Sequence, residues 1–483
     1  MNLDHDICYR ALRTRDRRFD GRFFTGVTST GIYCRPICPA RTPRAANCTF
    51  FACAAAAEEA GFRPCLRCRP ETAPGTPAWS GTSATVNRAL RLIDTGTLDT
   101  NGVEDLAARL GVGDRHLRRL FAEHLGASPL AVAHTRRAHF AKQLIEETEL
   151  PMGQLALAAG FQNVRRFNAA VRQVFHRSPT EIRAAARRPE ASIDGAIVLR
   201  LAYRKPLDWD GLLDFVRPRA IPGVEVVTDT AYRRTTEWGP ITIDCDPAGR
   251  FLRLHAPVAA APHLSDLVER ARRLFDLDAD PVVIADQLSA DPYLATALGR
   301  CPGVRVLGAW DRFETAVRGI LGQQVTVVGA TRLAGRLVER FGKPITGDPG
   351  HLFPSPADFV DADIASIGMP GARAETIRAL ARAVRDGEPV LEPTNDLDTA
   401  VARLAALPGI GDWTAQYIAM RCLHEPDAFP AGDLGLRKAL GDGDGPATPA
   451  VVRRRAEGWR PWRAYAAMLL WGELSGPGKR NQT

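Results

Sequence analysis

Gly31-Ile32-Tyr33-Cys34-Arg35-Pro36-Ile37-Cys38 and Gly61-Phe62-Arg63-Pro64-Cys65-Leu66-Arg67-Cys68 decide how the chain begins. Each stretch holds a close cysteine pair, one spaced C-x3-C and the other C-x2-C. Four thiolates at such spacings close a tetrahedron around one Zn2+, so Cys34, Cys38, Cys65 and Cys68 are the expected metal ligands. Spacing alone leaves two uses open, a clamp for a small domain or a reactive centre. Arginines crowd the same region, and a cationic setting suits a phosphate backbone. Arg35, Arg63 and Arg67 are the expected DNA contacts here. Residues 22–32 mix β-formers with glycine and predict a small sheet. The alanine-rich residues 54–60 predict a short helix.

The whole chain has 483 residues, too many for a single core, so three or four domains are expected. With 45% apolar and 24% charged residues the composition is globular, which argues against a disordered chain. No apolar run approaches the ~20 residues of a membrane helix, and residues 1–10 lack a signal-peptide core. A cytoplasmic protein with no membrane partner is expected, so its ten cysteines read as ligands or free thiols. The net charge of +8 is unevenly spread. Residues 1–78 hold 12 arginines against 7 acidic side chains, and residues 79–190 hold 16 basic against 11 acidic. The remainder is slightly acidic, which places the charge for nucleic-acid binding in the first 190 residues.

Downstream, residues 102–112 and 114–125 predict a helix, a glycine turn and a second helix carrying Arg115, Arg118 and Arg119. The arrangement recurs at residues 154–161 and 163–175, where the second helix carries Arg165 and Arg166. Two helix-turn-helix units are expected, with these five arginines facing DNA. Both copies end alike, in Ala127-Ser128-Pro129 and Arg177-Ser178-Pro179. From Ile197 strand-like and helical segments mix, predicting a small α+β domain over 196–290. The rest is helical, with Leu407-Pro408-Gly409-Ile410-Gly411 between two helices. That is a helix-hairpin-helix, in which Gly409 and Gly411 let backbone N–H groups approach a phosphate.

These motifs carry resemblances. The cysteine pairs are similar to the N-terminal domain of the Ada adaptive-response family. That resemblance implies that Cys34 accepts a methyl group irreversibly from a DNA methylphosphotriester. The helix-turn-helix pair resembles AraC-type regulators, implying methylation-activated transcription with promoter DNA and RNA polymerase as partners. Residues 196–475 resemble the helix-hairpin-helix DNA glycosylases of AlkA type, through Ala316 to Val325, Phe429-Pro430-Ala431-Gly432-Asp433-Leu434-Gly435 and the stretch 459–465. This implies excision of alkylated bases such as 3-methyladenine from double-stranded DNA. Asp433 is then the catalytic carboxylate, and Trp413, Tyr417 and Trp471 form the base pocket. Gln324 stands where some relatives carry an apolar wedge. Lyase members place a lysine where Trp413 stands here, so a monofunctional enzyme is expected.

The whole chain therefore resembles an Ada–AlkA fusion with a multidomain α+β architecture. It would hold a zinc methyl-acceptor domain (1–75), an all-α double helix-turn-helix (80–187), an α+β domain (196–290) and an all-α glycosylase domain (291–480). The alternative is a purely regulatory DNA-binding protein with structural zinc and an inactive glycosylase domain.

Overall fold

The computed structural model describes residues 3–74, 84–186, 196–394, 396–441 and 445–475. It divides into two compact units. The first comprises Met1–Arg204, Asp246–Glu269 and Leu277–Ala279, and the second Lys205–Cys245, Arg270–Asp276 and Asp280–Thr483. The architecture is multidomain α+β, as expected.

The first unit opens with helix α1 (His5–Thr14), capped where Asp4 Oδ1 accepts the Ile7 N–H at 2.9 Å. Strands β1 (Phe24–Val27), β2 (Ile32–Cys34), β3 (Cys48–Phe51) and β4 (Arg63–Pro64) form a sheet in the order β3-β1-β2-β4. Strand β4 runs parallel to β2, with Tyr33 opposite Pro64. Helix α2 (Ala54–Glu59) presents Ala55 and Ala56 to a core shared with the helices that follow.

Those helices are α3 (Ala84–Asp94), α4 (Thr97–Thr100), α5 (Val103–Arg109), α6 (Asp114–Leu125), α7 (Pro129–Glu147), α8 (Met152–Ala158), α9 (Val164–Phe175) and α10 (Pro179–Ala185). The two Ser-Pro endings are helix starts. Ser128 Oγ accepts from Ala131 N at 3.2 Å and Ser178 Oγ from Glu181 N at 3.3 Å, each with proline at the first helical position.

Strands β5 (Ile197–Leu201), β6 (Glu225–Val227), β7 (Ala231–Thr236), β8 (Gly239–Cys245) and β9 (Leu252–Ala256) follow. In the first unit β5 pairs antiparallel with β9. In the second, β6, β7 and β8 form an antiparallel meander. Strands β6 and β7 are not evident in the sequence, because Arg233, Arg234, Thr235 and Thr236 obscure the apolar alternation of β7. The helical remainder also contains one short antiparallel pair, Lys343–Pro344 with His351–Leu352. Two residues per strand are too few to leave a period-2 pattern.

Helix α7 ties the cysteine module to the helix-turn-helix pair through buried charge. Glu58 Oε1 accepts from the Tyr33 hydroxyl at 2.8 Å and lies 3.0 Å from His139 Nε2, and Glu58 Oε2 accepts from Thr135 at 2.6 Å. Burial alone would raise the Glu58 carboxyl, but these partners outweigh it and hold it below its ordinary value. One turn further, Lys142 Nζ bonds Glu71, and both side chains are 1% exposed. Burial pushes Glu71 up, while Lys142 and Arg69 pull its carboxyl below the usual range. Removing one member of such a pair strands the other charge in the interior. Lys142→Met is expected to destabilise the first unit by about 3 kcal/mol at pH 7. The wild-type advantage, held by an ionised Glu71 whose carboxyl lies below its ordinary value, should shrink as pH falls below the usual carboxylate range. Urea melts of both proteins at pH 7 and pH 4 measure the difference.

Candidate functional site

The sulfur cluster is assembled by backbone pairing. Strand β2 ends on Cys34. The Cys65 N–H donates to Tyr33 O at 3.0 Å, which continues the β2–β4 pairing and draws Cys65 alongside. A turn closed by Cys38 N to Arg35 O at 3.1 Å returns Cys38, and Arg69 N to Cys65 O at 3.0 Å closes the turn that carries Cys68. The four sulfur atoms all lie within 4.8 Å of one another, and Cys38 and Cys65 Sγ are 4.0 Å apart. A tetrahedral zinc with sulfur at about 2.3 Å sets sulfurs about 3.8 Å apart, so this donor set fits the metal. Cys38, Cys65 and Cys68 are buried and Cys34 is less so. The Arg35 N–H donates to Cys68 Sγ at 3.4 Å.

Arg35 departs from the expectation of a DNA contact. Its guanidinium turns inward onto Asp20, with Nε at 2.8 Å, and also donates to Cys68 O at 3.2 Å and Thr72 Oγ1 at 2.8 Å. Held at 11% side-chain exposure, it braces the cysteine loops. Arg67 is exposed and Arg63 half-buried, as an outward role requires. In the helix-turn-helix pair Arg115 and Arg119 on α6 and Arg165 and Arg166 on α9 are exposed. Arg118 lies 3.2 Å from Glu104, Arg119 lies 3.3 Å from Glu123, and Arg166 donates to Gln162 at 2.9 Å. These contacts sit at the surface, where an ion pair is weak and readily exchanged for a phosphate.

In the second unit the hairpin 407–411 joins the helices Leu397–Ala405 and Asp412–Cys422. Gly409 has φ +79°, and a Cβ there would stand 1.9 Å from Thr376 Oγ1, so only glycine fits. Gln323, beside Gln324, donates to Gly409 O at 3.0 Å and to Thr414 Oγ1 at 2.9 Å, tying the two segments together. Gln324 itself is exposed at φ +57°. Val325, Val327 and Val328 beside it are 39%, 39% and 52% exposed, which leaves apolar surface next to the glutamine.

Asp433 caps the helix Leu434–Ala439, its Oδ1 accepting from Leu436 N at 3.0 Å. The same oxygen accepts from Trp471 Nε1 at 2.9 Å, and Oδ2 accepts from Trp413 Nε1 at 3.1 Å. Trp413 stacks on Tyr417 with centroids 5.4 Å apart and planes at 14°. Gly319 makes room for that stack, since a Cβ would press to 3.1 Å from Tyr417 Cδ1. Both indole N–H groups thus hold the carboxylate, in addition to the pocket-wall role expected of these aromatics, and donors 20 and 38 residues away leave no spacing signature in the sequence.

Four family profiles match in chain order. They are the metal binding domain of Ada over residues 7–71, a helix-turn-helix domain over 106–185, the AlkA N-terminal domain over 198–311 and the HhH-GPD superfamily of base excision DNA repair proteins over 317–463. A Mycobacterium tuberculosis protein described as a probable bifunctional transcriptional activator/DNA repair enzyme AlkA is 44% identical over 99% of this chain and 98% of its own. This chain belongs to the Ada–AlkA family. The two halves also match separately. An Escherichia coli DNA-3-methyladenine glycosylase 2 is 34% identical, covering 56% of this chain and 95% of its own length. The E. coli bifunctional transcriptional activator/DNA repair enzyme Ada is 36% identical over 33% of this chain and 43% of its own. The four-sulfur cluster lies within the Ada metal-binding match and is the zinc-binding centre of this family member. No helix among the described residues is long and apolar enough to cross a membrane.

Proposed function

We propose that this protein repairs alkylated DNA at two separate centres and couples the first to transcription. The carrying observation at the second centre is Asp433, whose two oxygens are gripped by two indole N–H groups and a helix amide beside the stacked Trp413 and Tyr417. A flipped, alkylated base enters against these rings, and a cationic base gains about 1–2 kcal/mol from the aromatic face. As the C1′–N bond breaks, positive charge grows on the sugar. The fixed carboxylate stabilises that charge and orients the attacking water. With Trp413 after the hairpin in place of lysine, no amine is available there for a Schiff base, so the reaction stops at base release. The exposed valines beside Gln324 fill the gap left by the base.

At the first centre, zinc when bound keeps the four sulfurs as thiolates. Cys34 is the least shielded of them. Cys34 Sγ attacks the methyl carbon of a methylphosphotriester. The S–C bond forms, the C–O bond breaks, and the phosphodiester leaves with the electron pair. Nothing in the module regenerates the thiol, so transfer occurs once per chain. The module then carries one negative charge fewer. A unit charge ~6 Å from a phosphate is worth about 3 kcal/mol at an effective dielectric of about 20, which is enough to tighten DNA binding severalfold after screening. Helices α6 and α9 supply the promoter contacts, and RNA polymerase is the partner that activation requires.

Three measurements test these assignments. Asp433→Asn is expected to lower release of 3-methyladenine from alkylated DNA by at least ~100-fold, and Trp471→Phe, which keeps a ring but loses the N–H, by about 10-fold. Full loss in the first with retained promoter binding separates an enzyme from a purely regulatory protein. Mass spectrometry after exposure to methylated DNA should find one added methyl on Cys34, absent in Cys34→Ser. Elemental analysis should find one zinc per chain, lost in Cys65→Ser together with methyl transfer.

A further inference from the structure

Away from the sulfur cluster, the first unit holds a cleft of about 270 Å³ lined from α4, α7, the turn after α8 and α9. Its inner end is an ion pair between Asp99 on α4 and Arg137 on α7. Gly160, at φ +79°, lets the α8–α9 turn lie on that carboxylate, since a Cβ there would stand 2.9 Å from Asp99 Oδ2. Its outer end carries Arg166, whose Nη1 donates to Gln162 at 2.9 Å. The inner pair is poorly bonded. Arg137 Nη1 lies 3.5 Å from Asp99 Oδ1, and Arg136 Nη1 lies 3.8 Å from Oδ2, distances too long for good hydrogen bonds. Asp99 Oδ1 and Arg137 Nε are buried atoms with no hydrogen-bond partner among the described residues. The Phe161 ring, 5.8 Å from Arg137 Cζ, helps to hold the guanidinium in place. Burial raises the Asp99 carboxyl, with Arg136 and Arg137 opposing that push. His134 beside the pair is pushed down by burial and by Arg137, so its ring is neutral at pH 7.

A donor and an acceptor left unbonded side by side at the end of a cleft are costly unless something outside the chain completes them. A small anion entering there would meet the Asp99 carboxylate, and a cation would meet two arginines. A neutral ligand with donors and an acceptor along one edge satisfies both. Guanine has that edge, with N1–H and N2–H2 as donors to a carboxylate and O6 as acceptor from an arginine. We propose that this cleft binds a free guanine-type base, with Asp99 accepting from N1–H and N2–H2 and Arg137 donating to O6. The planar guanidinium of Arg166 covers the ring face. The size agrees, falling below the ~300 Å³ at which pockets for drug-sized ligands begin. The site stands on its own geometry, while the source of its ligand rests on the glycosylase reading, in which excision of an alkylated guanine frees the base. Arg166 is also an expected DNA contact, so a base held beneath it is sensed by the helix that faces DNA.

Calorimetry of the full-length protein with free 7-methylguanine, paired with hydrogen exchange read by mass spectrometry, tests the site. Saturable binding is expected, with exchange slowed in α7 and across residues 160–173. Asp99→Asn and Arg137→Gln should each weaken binding by about 10-fold or more, the loss expected for a hydrogen bond to a charged group. Adenine, whose edge offers one donor beside one acceptor, should bind about 10-fold more weakly than 7-methylguanine. Ala169→Leu fills the cleft and removes no polar group, so it should abolish binding there, and it carries the test if the other variants do not fold. No saturable binding overturns the proposal. So does binding that survives all three variants with slowed exchange confined to the aromatic pocket around Trp413, since that base sits at the second centre. Adenine binding as tightly as 7-methylguanine, or inorganic phosphate displacing it, overturns the assignment of a guanine-type ligand. If 7-methylguanine binds the cleft but the protein releases none from alkylated DNA, the site stands and the glycosylase reading falls.

Discussion

Four sulfur atoms within 4.8 Å of one another are the constraint on which the first unit rests. As thiolates they repel, so the fold that gathers them depends on a cation to hold them there. The gathering is done by the parallel pairing of β2 with β4, and Tyr33 lies at its centre, fully buried and one residue from Cys34. Its hydroxyl is shared with Glu58 and His139, so the strand that delivers Cys34 also carries a strut to α7. From α7 the bonding continues through Lys142 and Glu71 and, by Gln143 and Glu147, to the backbone of Arg200 on β5. The cysteine module is thus built into the helix-turn-helix pair through polar groups that cannot part without stranding charge.

The second unit solves a related problem around Arg234. That guanidinium lies between Glu225 and Glu314, all three nearly inaccessible, and Arg318 closes the set at 3.1 Å from Glu225. Burying four ions in this way is weak evidence for stability, because desolvation consumes most of the attraction. What the network fixes is position. It locks the helix Arg312–Leu321 to β6 and β7, and Arg318 reaches from it to the carbonyl of Arg219.

Local spacing made much of this legible. Two cysteine pairs, two Ser-Pro helix starts and L-P-G-I-G are short-range signals, and each marks a backbone event that nearby residues complete. The failures share the opposite property. Arg35 looked like a free cation because Asp20, its partner, is 15 residues away and unremarkable in sequence. That Trp413 and Trp471 also donate to a carboxylate was not legible, because an indole is an apolar body with one polar edge, and only the fold says where that edge points.

The carboxylate of the second centre is held by neutral partners. Asp433 is gripped by two indole N–H groups and a helix amide. A salt bridge to a guanidinium would have oriented that carboxylate while cancelling its charge. Neutral dipoles orient without cancelling. Under the function proposed above, the carboxylate then keeps its full field for a cation developing at the sugar, so the interaction strengthens as the N-glycosidic bond breaks.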